Sequence, residues 1–319
     1  MSSSKHLVDP ELVPALALLP NEPFSEQNLH QLRALRMEAA QIAAPPTDIL
    51  VAECFAPGPA DAPRVRMLTY TPTQSAVGRP AYLHIHGGGY VVGSAEMDTP
   101  FCTELVREHD CVVVSVDYRL APETCFPGNV EDCYAALLWL RDNAQALGAD
   151  PNRIAIGGIS AGGGLAAGLA LLARDRGEVT IIHQHLISPM LDDREPADRH
   201  PFTGEFVWTR ESNHFGWRSL LGKPPGSPDI SPYAAAARAD DLRNLPPTFI
   251  SIGALDLFLE ENLEYARRLA RAGVPVEFHL YPGGYHGFSF TASARVSQQH
   301  LRNHHDALRA VFSRPATAG

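Results

Sequence analysis

The chain has 319 residues, 45% of them apolar and 19% charged, a composition that can bury the core of one large folded domain. Its 26 Lys and Arg against 36 Asp and Glu residues give a formal net charge of −10, the wrong sign for binding nucleic acid or anionic lipid. The five cysteines lack C-x-x-C spacing, and neither a secretory signal nor an apolar run of roughly 20 residues is present, so we expect a cytoplasmic protein without a membrane span.

Residues 1–45 precede the first predicted strand and hold one helix candidate, SEQNLHQLRALRMEAAQIA (25–43). Because this segment lies outside the alternation of strands and helices that follows, we expect it to form the N-terminal part of a cap. The core would then begin at residue 46.

From about residue 64, strand-like runs alternate with helical patterns. The strand-like runs are 64–70, 81–85, 112–116, 153–157, 181–188, 248–252 and 276–281. Apolar residues recur at helical period in 130–147 and 261–272, and a glycine follows each segment as a helix end. This alternation predicts an α/β fold, with a mostly parallel sheet covered by helices on both faces.

Residues 190–245 interrupt the alternation, because they are rich in Asp, Pro, Arg and aromatic residues and have no clear sheet pattern. We expect them to form a cap insertion between two parts of one core, 46–189 and 246–319. Catalytic groups in such sheets lie beyond the carboxyl ends of the strands. The cap is therefore predicted to cover the active edge of the sheet.

The stretch IGGISAG (156–162) places Ser160 between a predicted strand and a predicted helix. A nucleophile at such a corner needs a strained turn, and glycines at positions 158 and 162 remove side chains that would collide there. The helix start also favours developing negative charge. The alternative is a glycine-rich turn with an incidental serine.

The stretch HIHGGGYVVG (84–93) follows another predicted strand. Three consecutive glycines allow backbone N–H groups to approach a developing oxyanion without steric hindrance. The alternatives are a flexible hairpin and a phosphate-binding loop, but the segment lacks the Lys-Ser/Thr of a P-loop and the G-x-G-x-x-G spacing.

Together these motifs resemble those of the bacterial hormone-sensitive-lipase-like esterases, which have the α/β-hydrolase fold with a helical cap. The matching segments, in family order, are HGGGY (86–90), DYRLAPE (117–123), GISAGG (158–163), GALDLFLEE (253–261) and YHGF (285–288). The resemblance covers roughly residues 64 to 312 and is greatest to actinobacterial acetyl esterases of the heroin-esterase kind.

The resemblance implies a catalytic triad in which Ser160 is the nucleophile, Asp256 the acid and His286 the base. It also implies an oxyanion hole formed by the amides of three residues. These residues are Gly88, Gly89 and Ala161. We expect no cofactor and no metal.

Two positions depart from the family pattern. Ile159 stands where the family usually has Asp, which removes a carboxylate beside the nucleophile. The usual Asp-Pro after the seventh strand reads Asp256-Leu257. Both departures leave the triad residues in place.

The chain has 14 histidines, and the order Ser, acid, His typical of α/β-hydrolases favours His286 as the base. His183 and His185 lie inside a strand pattern, and His86 is expected to shape the glycine loop. Three further histidines have helical spacing but lack an H-E-x-x-H frame, so a solvated helix face is expected for them. They are His300, His304 and His305.

Asp256 ends a predicted strand, from which its carboxylate can orient an imidazole. Glu260 and Glu261 are rivals, although they are more typical of first-turn carboxylates favoured by the helix dipole. Asp192 and Asp193 are further alternatives.

The predicted activity is that of a serine carboxylesterase that hydrolyses short-chain acyl or small aryl esters through an acyl-enzyme intermediate. Aromatic residues of the cap, together with Phe288, suggest an apolar pocket, although they could equally form the core of the cap. The cap aromatics are Phe24, Phe206, Trp208, Phe215 and Trp217. The alternatives are an amidase or peptidase with the same triad and a non-catalytic ligand-binding member of the fold. The resemblance also suggests a homodimer through the last strand, 276–281.

Overall fold

The computed structural model describes residues 3–18, 22–41, 47–59, 62–194 and 200–314. The described residues form one eight-stranded sheet with the spatial order β1-β2-β4-β3-β5-β6-β7-β8. The strands are β1 (Ile49–Ala56), β2 (Val65–Pro72), β3 (Arg79–Ile85), β4 (Val112–Asp117), β5 (Ala149–Ile159), β6 (His183–Ile187), β7 (Thr248–Gly253) and β8 (Val276–Tyr281). Strand β2 is antiparallel to both of its neighbours, and the other strands are parallel. The predicted α/β-hydrolase fold is confirmed.

The strand predictions are confirmed in number and order from β2 onward, but β1 was missed. Strand β1 lies at the edge of the sheet, and most of its side chains are exposed or half-buried. Its sequence, ILVAECFA, is apolar apart from Glu53, but it lacks the alternation of apolar and polar residues that marks a half-buried strand. Strand β8 coincides with the predicted segment 276–281.

The α-helices of the described residues are α1 (Val13–Leu16), α2 (Leu29–Gln41), α3 (Thr99–His109), α4 (Gly128–Asn143), α5 (Ala161–Arg176), α6 (Arg210–Leu221), α7 (Leu259–Arg271) and α8 (Arg295–Phe312). The predicted helix 130–147 is split into α4 and a 3-10 turn, and Gly148 follows with a φ of 78°. The N-terminal helix prediction corresponds to α2, and residues 42 and 43 lie outside the described residues.

Helices cover both faces of the sheet. On one face α4, α5 and α7 pack on side chains such as Leu83, Val114 and Ile156. On the other face α3 and α8 pack on the alternate residues, which include Tyr82 and Val113. Successive strand residues point to opposite faces, so both sets come from the same buried strands.

Helices α2 and α6 lie in the segments predicted to form the cap. The Arg33 side chain of α2 donates hydrogen bonds to the carbonyl oxygens of Val91 and Ala121, each at 2.8 Å. The backbone N–H of Phe24 donates to Ser212 Oγ of α6 at 3.1 Å. These contacts join both segments to each other and to the loops above the sheet. The division into cap and core remains a prediction.

Candidate active site

Ser160 lies between β5 and α5 in a backbone conformation that non-glycine residues rarely adopt, with φ 58° and ψ −120°. Its N–H donates to the carbonyl oxygen of Ile187 at 2.8 Å, which ties the turn to β6. A Cβ atom on Gly162 would lie 2.0 Å from the carbonyl oxygen of Ile85, and one on Gly158 would lie 2.4 Å from the carbonyl carbon of Gly162. The flanking glycines are therefore required by close backbone packing around a strained serine.

The structure brings Ser160, Asp256 and His286 together in one hydrogen-bonded chain. His286 Nε2 lies 2.9 Å from Ser160 Oγ, and His286 Nδ1 lies 2.8 Å from Asp256 Oδ2. A carboxylate only accepts hydrogen bonds, so Nδ1 carries the proton and Nε2 is free to accept the serine hydroxyl. This is the arrangement in which an imidazole can take a proton from a hydroxyl.

The three side chains come from loops that follow different strands. Ser160 follows β5, Asp256 follows β7 and His286 follows β8, so all three lie beyond the carboxyl ends of parallel strands. Asp256 is fully buried, and its Oδ1 accepts a hydrogen bond of 3.0 Å from the N–H of Phe258. The carboxylate is thus fixed independently of the imidazole.

The glycine loop lies directly beside Ser160. A Cβ atom on Gly87 would lie 3.5 Å from Ser160 Cβ, and Gly88 and Gly89 have φ values of 112° and 61°. Among the described residues, none accepts a hydrogen bond from the amides of Gly88, Gly89 or Ala161. These amides are available to a negatively charged oxygen, although their assignment as an oxyanion hole stays a prediction.

His86 supports the glycine loop. Its Nδ1–H donates to the carbonyl oxygen of Gly87 at 2.8 Å, and its ring stacks on Tyr118 with centroids 4.3 Å apart. Burial lowers the pKa of His86 below its ordinary value, which favours the neutral imidazole. These contacts agree with the expectation that His86 shapes the loop.

The rival carboxylates make other contacts. Glu261 is half-buried at the start of α7, where its Oε1 accepts the N–H groups of Leu191 at 2.6 Å and Asp192 at 3.3 Å. Burial raises the pKa of Glu261 well above its ordinary value. Asp193 pairs with Arg238 at 2.5 Å. Among the described carboxylates, only Asp256 is hydrogen-bonded to His286.

The prediction of a solvated face for His300, His304 and His305 was wrong, because these side chains are only 6%, 1% and 7% exposed. Helix α8 turns them toward the sheet and α3. His304 Nδ1 lies 2.6 Å from His185 Nε2 of β6, and His305 Nδ1 lies 3.0 Å from His109 Nε2 of α3.

The buried histidines contact one another and neighbouring aromatic rings. Among the residues the structure describes, no group of three or more His, Cys, Asp or Glu side chains could hold a metal ion. His183 and His185 belong to β6, and the His185 ring stacks on Phe249 at 4.1 Å. We define the buried histidine cluster as His183, His185, His300, His304 and His305.

The structure separates the aromatic residues that suggested a pocket. Trp208 lies near the triad, with its ring centroid 6.3 Å from that of His286 and 5.3 Å from that of Phe24. Trp217 is fully buried against Tyr90, as expected for the core of the cap. The other aromatics pack elsewhere: Phe206 against Tyr285, Phe215 beside Val91 and Val92, and Phe288 against Tyr281 and His300. Sequence alone could not distinguish Trp208 from Trp217, because both lie in the same aromatic-rich segment.

Comparisons with known proteins agree with this geometry. A family model described as the alpha/beta hydrolase fold matches residues 82–290. Esterase LipI of Mycobacterium tuberculosis is 31% identical over 294 residues, which cover 90% of this chain and 89% of the relative. An arylesterase of Saccharolobus solfataricus is 36% identical over 221 residues, 68% of this chain and 70% of the relative.

Solved structures extend the similarity over almost the whole chain. A structure titled Bacterial Heroin Esterase has a TM-score of 0.93 and 43% identity, and the match covers 98% of this chain and 100% of that one. The structure of esterase LipW from Mycobacterium marinum has a TM-score of 0.87 and 34% identity, and the match covers 97% of this chain and 98% of that one. Within the described part of the chain, every helix is too short or too polar to cross a bilayer.

Proposed function

The chain belongs to the α/β-hydrolase family of hormone-sensitive-lipase-like esterases, and from this membership we propose that it is a serine carboxylesterase. The observation that carries the proposal is the continuous hydrogen-bonded chain from Ser160 through His286 to Asp256, with contacts of 2.9 and 2.8 Å. The relatives whose names include esterase or arylesterase support ester substrates.

In the proposed reaction Ser160 Oγ attacks the carbonyl carbon of the ester while His286 Nε2 accepts the hydroxyl proton. The carbonyl oxygen becomes negatively charged and accepts hydrogen bonds from the amides of Gly88, Gly89 and Ala161. The bond to the leaving alcohol then breaks, and His286 returns the proton to the alcohol oxygen. Asp256 stabilises the imidazolium that forms between these steps.

Water completes the cycle. It attacks the acyl carbon while His286 accepts its proton, and the released Ser160 oxygen regains a proton from the imidazolium. The products are a carboxylic acid and the free enzyme. Every proton and bond is accounted for by the ester, one water molecule and the side chains of the triad, so the proposed reaction needs no cofactor or metal.

We propose short-chain acyl or small aryl esters as the substrate class. Ser160 is 6% exposed and His286 is 9% exposed, and the aromatic rings of Trp208 and Phe258 lie 6.3 and 5.3 Å from the His286 ring. A nearly buried site bordered by aromatic rings suits small uncharged esters better than charged or bulky ones.

The test measures hydrolysis of p-nitrophenyl acetate, butyrate and decanoate and of p-nitroacetanilide by the wild type and by Ser160→Ala. We expect hydrolysis of the acetate or butyrate by the wild type and a loss of about 10⁴-fold or more in kcat in the variant. Preference for the anilide would favour the amidase alternative. Hydrolysis of none of the four compounds would overturn the proposal and favour the non-catalytic binder.

We also propose a cytoplasmic protein that acts on a small molecule, binds no nucleic acid and forms a homodimer through β8. Strand β8 pairs with β7 on one side only, and Leu280 on it is 44% exposed. An unpaired, partly apolar edge can pair with the same edge of a second copy.

Light scattering after size-exclusion chromatography tests the dimer. We expect a dimer for the wild type and a monomer for Leu280→Lys, because an edge lysine opposes strand pairing. The matched control is Leu50→Lys on β1 at the opposite edge, where the leucine is 60% exposed. A monomeric wild type would contradict the proposal, as would a monomeric control.

A further inference from the structure

Trp208 lies between the glycine loop and the candidate base. A Cβ atom on Gly89 would lie 2.2 Å from Trp208 Cη2, so the edge of the indole rests on the backbone of Gly89. The indole centroid is 6.3 Å from that of the His286 ring. The side chain therefore bounds the small space in which a carbonyl group can meet both Ser160 and the free amides.

Contacts from both cap segments hold the indole in place. Its Nε1–H donates to Asn213 Oδ1 of α6 at 3.2 Å, and its ring packs on Phe24 at 5.3 Å. The glycine at position 216 lets α6 pack closely against the indole and the glycine loop. A Cβ atom on Gly216 would lie only 2.8 Å from the carbonyl oxygen of Gly89, and it would lie 3.5 Å from Trp208 Cζ2. Only 4% of Trp208 is exposed.

We propose that Trp208 is a specificity-determining residue that limits the length of the acyl group by forming a rigid wall over the site. This inference rests on the proposed esterase function. A long acyl chain that crosses this space would have to displace either the backbone of Gly89 or the indole. Displacing the indole would break its hydrogen bond to Asn213 and its contact with Phe24, so the wall resists large substituents.

The experiment compares kcat/KM for p-nitrophenyl acetate, butyrate and decanoate in the wild type, Trp208→Ala and Trp208→Leu. The leaving group is constant, so differences arise from the acyl chain alone. We expect the ratio of decanoate to acetate to rise about tenfold or more in both variants, the scale on which apolar pockets discriminate methylene groups. Trp208→Leu keeps much of the buried volume and carries the test if the alanine variant fails to fold.

The matched control is Trp139→Leu in α4, where Trp139 lines a surface groove with Tyr134 and Leu138. It should leave the decanoate-to-acetate ratio within about twofold of the wild type, because it removes an indole that does not contact the glycine loop.

An unchanged ratio in a folded Trp208→Leu variant that still hydrolyses acetate would overturn the inference and leave the esterase proposal intact. A wild type that hydrolyses none of the three esters would instead overturn the esterase proposal. An equal rise of the decanoate-to-acetate ratio in the Trp208 and Trp139 variants would also overturn the inference, because the effect would then not be specific to Trp208.

Discussion

At the scale of single residues, the site depends on side chains whose orientation is fixed before any substrate binds. Asp256 holds the His286 Nδ1–H at 2.8 Å while its other oxygen accepts the N–H of Phe258. An imidazole held in this way presents its unprotonated nitrogen to Ser160. The carboxylate thus sets which nitrogen of the imidazole faces the Ser160 hydroxyl.

Replacing this carboxylate with an amide should therefore change the tautomer without removing the side chain. We expect Asp256→Asn to lower kcat by about 10³ to 10⁴ while the variant stays folded. Steady-state kinetics with p-nitrophenyl acetate and a circular dichroism melt measure the two effects. Glu260→Gln is the control, because Glu260 is exposed and should leave kcat nearly unchanged. Similar rates for both variants would show that Asp256 is not the acid.

At the scale of secondary-structure elements, α8 packs on the sheet through the buried histidine cluster. Burial lowers the pKa of His183 and of His300 to about 4, and it lowers the pKa values of His185 and His304 well below the ordinary range. The nearest carboxylate partner is Glu104 of α3, which lies 3.5 Å from His305 Nε2. His183, His185, His300 and His304 are therefore buried as neutral imidazoles.

Neutral burial of these groups makes stability depend on pH. In the unfolded chain a histidine has a pKa near 6.5, so between about pH 6.5 and 4 the unfolded state binds more protons than the folded state. The contribution of these histidines to the free energy of unfolding is fully present above about pH 6.5 and is lost as the pH falls. Each such histidine can lower the free energy of unfolding by up to about 1.4 kcal/mol per pH unit.

Urea unfolding at about pH 7.5 and about pH 5.5 measures this loss. We expect the free energy of unfolding to fall steeply between the two values in the wild type, and less steeply in His304→Gln, which removes one titrating group from the cluster. His214→Gln replaces an exposed histidine and should retain the wild-type dependence. An equal free energy of unfolding at both pH values would contradict this account of the cluster.

The cluster also shows where sequence reasoning fails. Histidines at i and i+4 on a helix look like a solvated polar face. Only the packing of α8 on the sheet reveals that His300, beside Ser251 of β7, and His304, beside His185 of β6, are buried. Strand β1 was missed because its sequence, ILVAECFA, does not alternate apolar with polar residues, although most of its side chains are exposed or half-buried at the edge of the sheet. Most of the buried strands were predictable because they are short apolar runs, and α5 because its leucines at positions 165, 169 and 172 recur at helical spacing.

At the scale of the whole molecule, the sheet brings three distant chain segments together at the carboxyl ends of its parallel strands. The order of the strands brings the loops after β5, β7 and β8 to one end, and the glycine loop after β3 joins them. Motifs in the sequence predicted which residues meet there. They could not predict that Trp208 lies against Gly89, because that contact depends on how the two cap segments pack together.

The central claim is that Ser160 is a nucleophile activated by its neighbours, and labelling with diethyl p-nitrophenyl phosphate tests it most directly. Attack by Ser160 Oγ on phosphorus would release p-nitrophenolate and leave a stable diethylphosphoryl serine. Peptide mass spectrometry of the full chain should find one such group on Ser160 and none in Ser160→Ala. An unlabelled wild type, or a label on another residue that persists in Ser160→Ala, would contradict the claim.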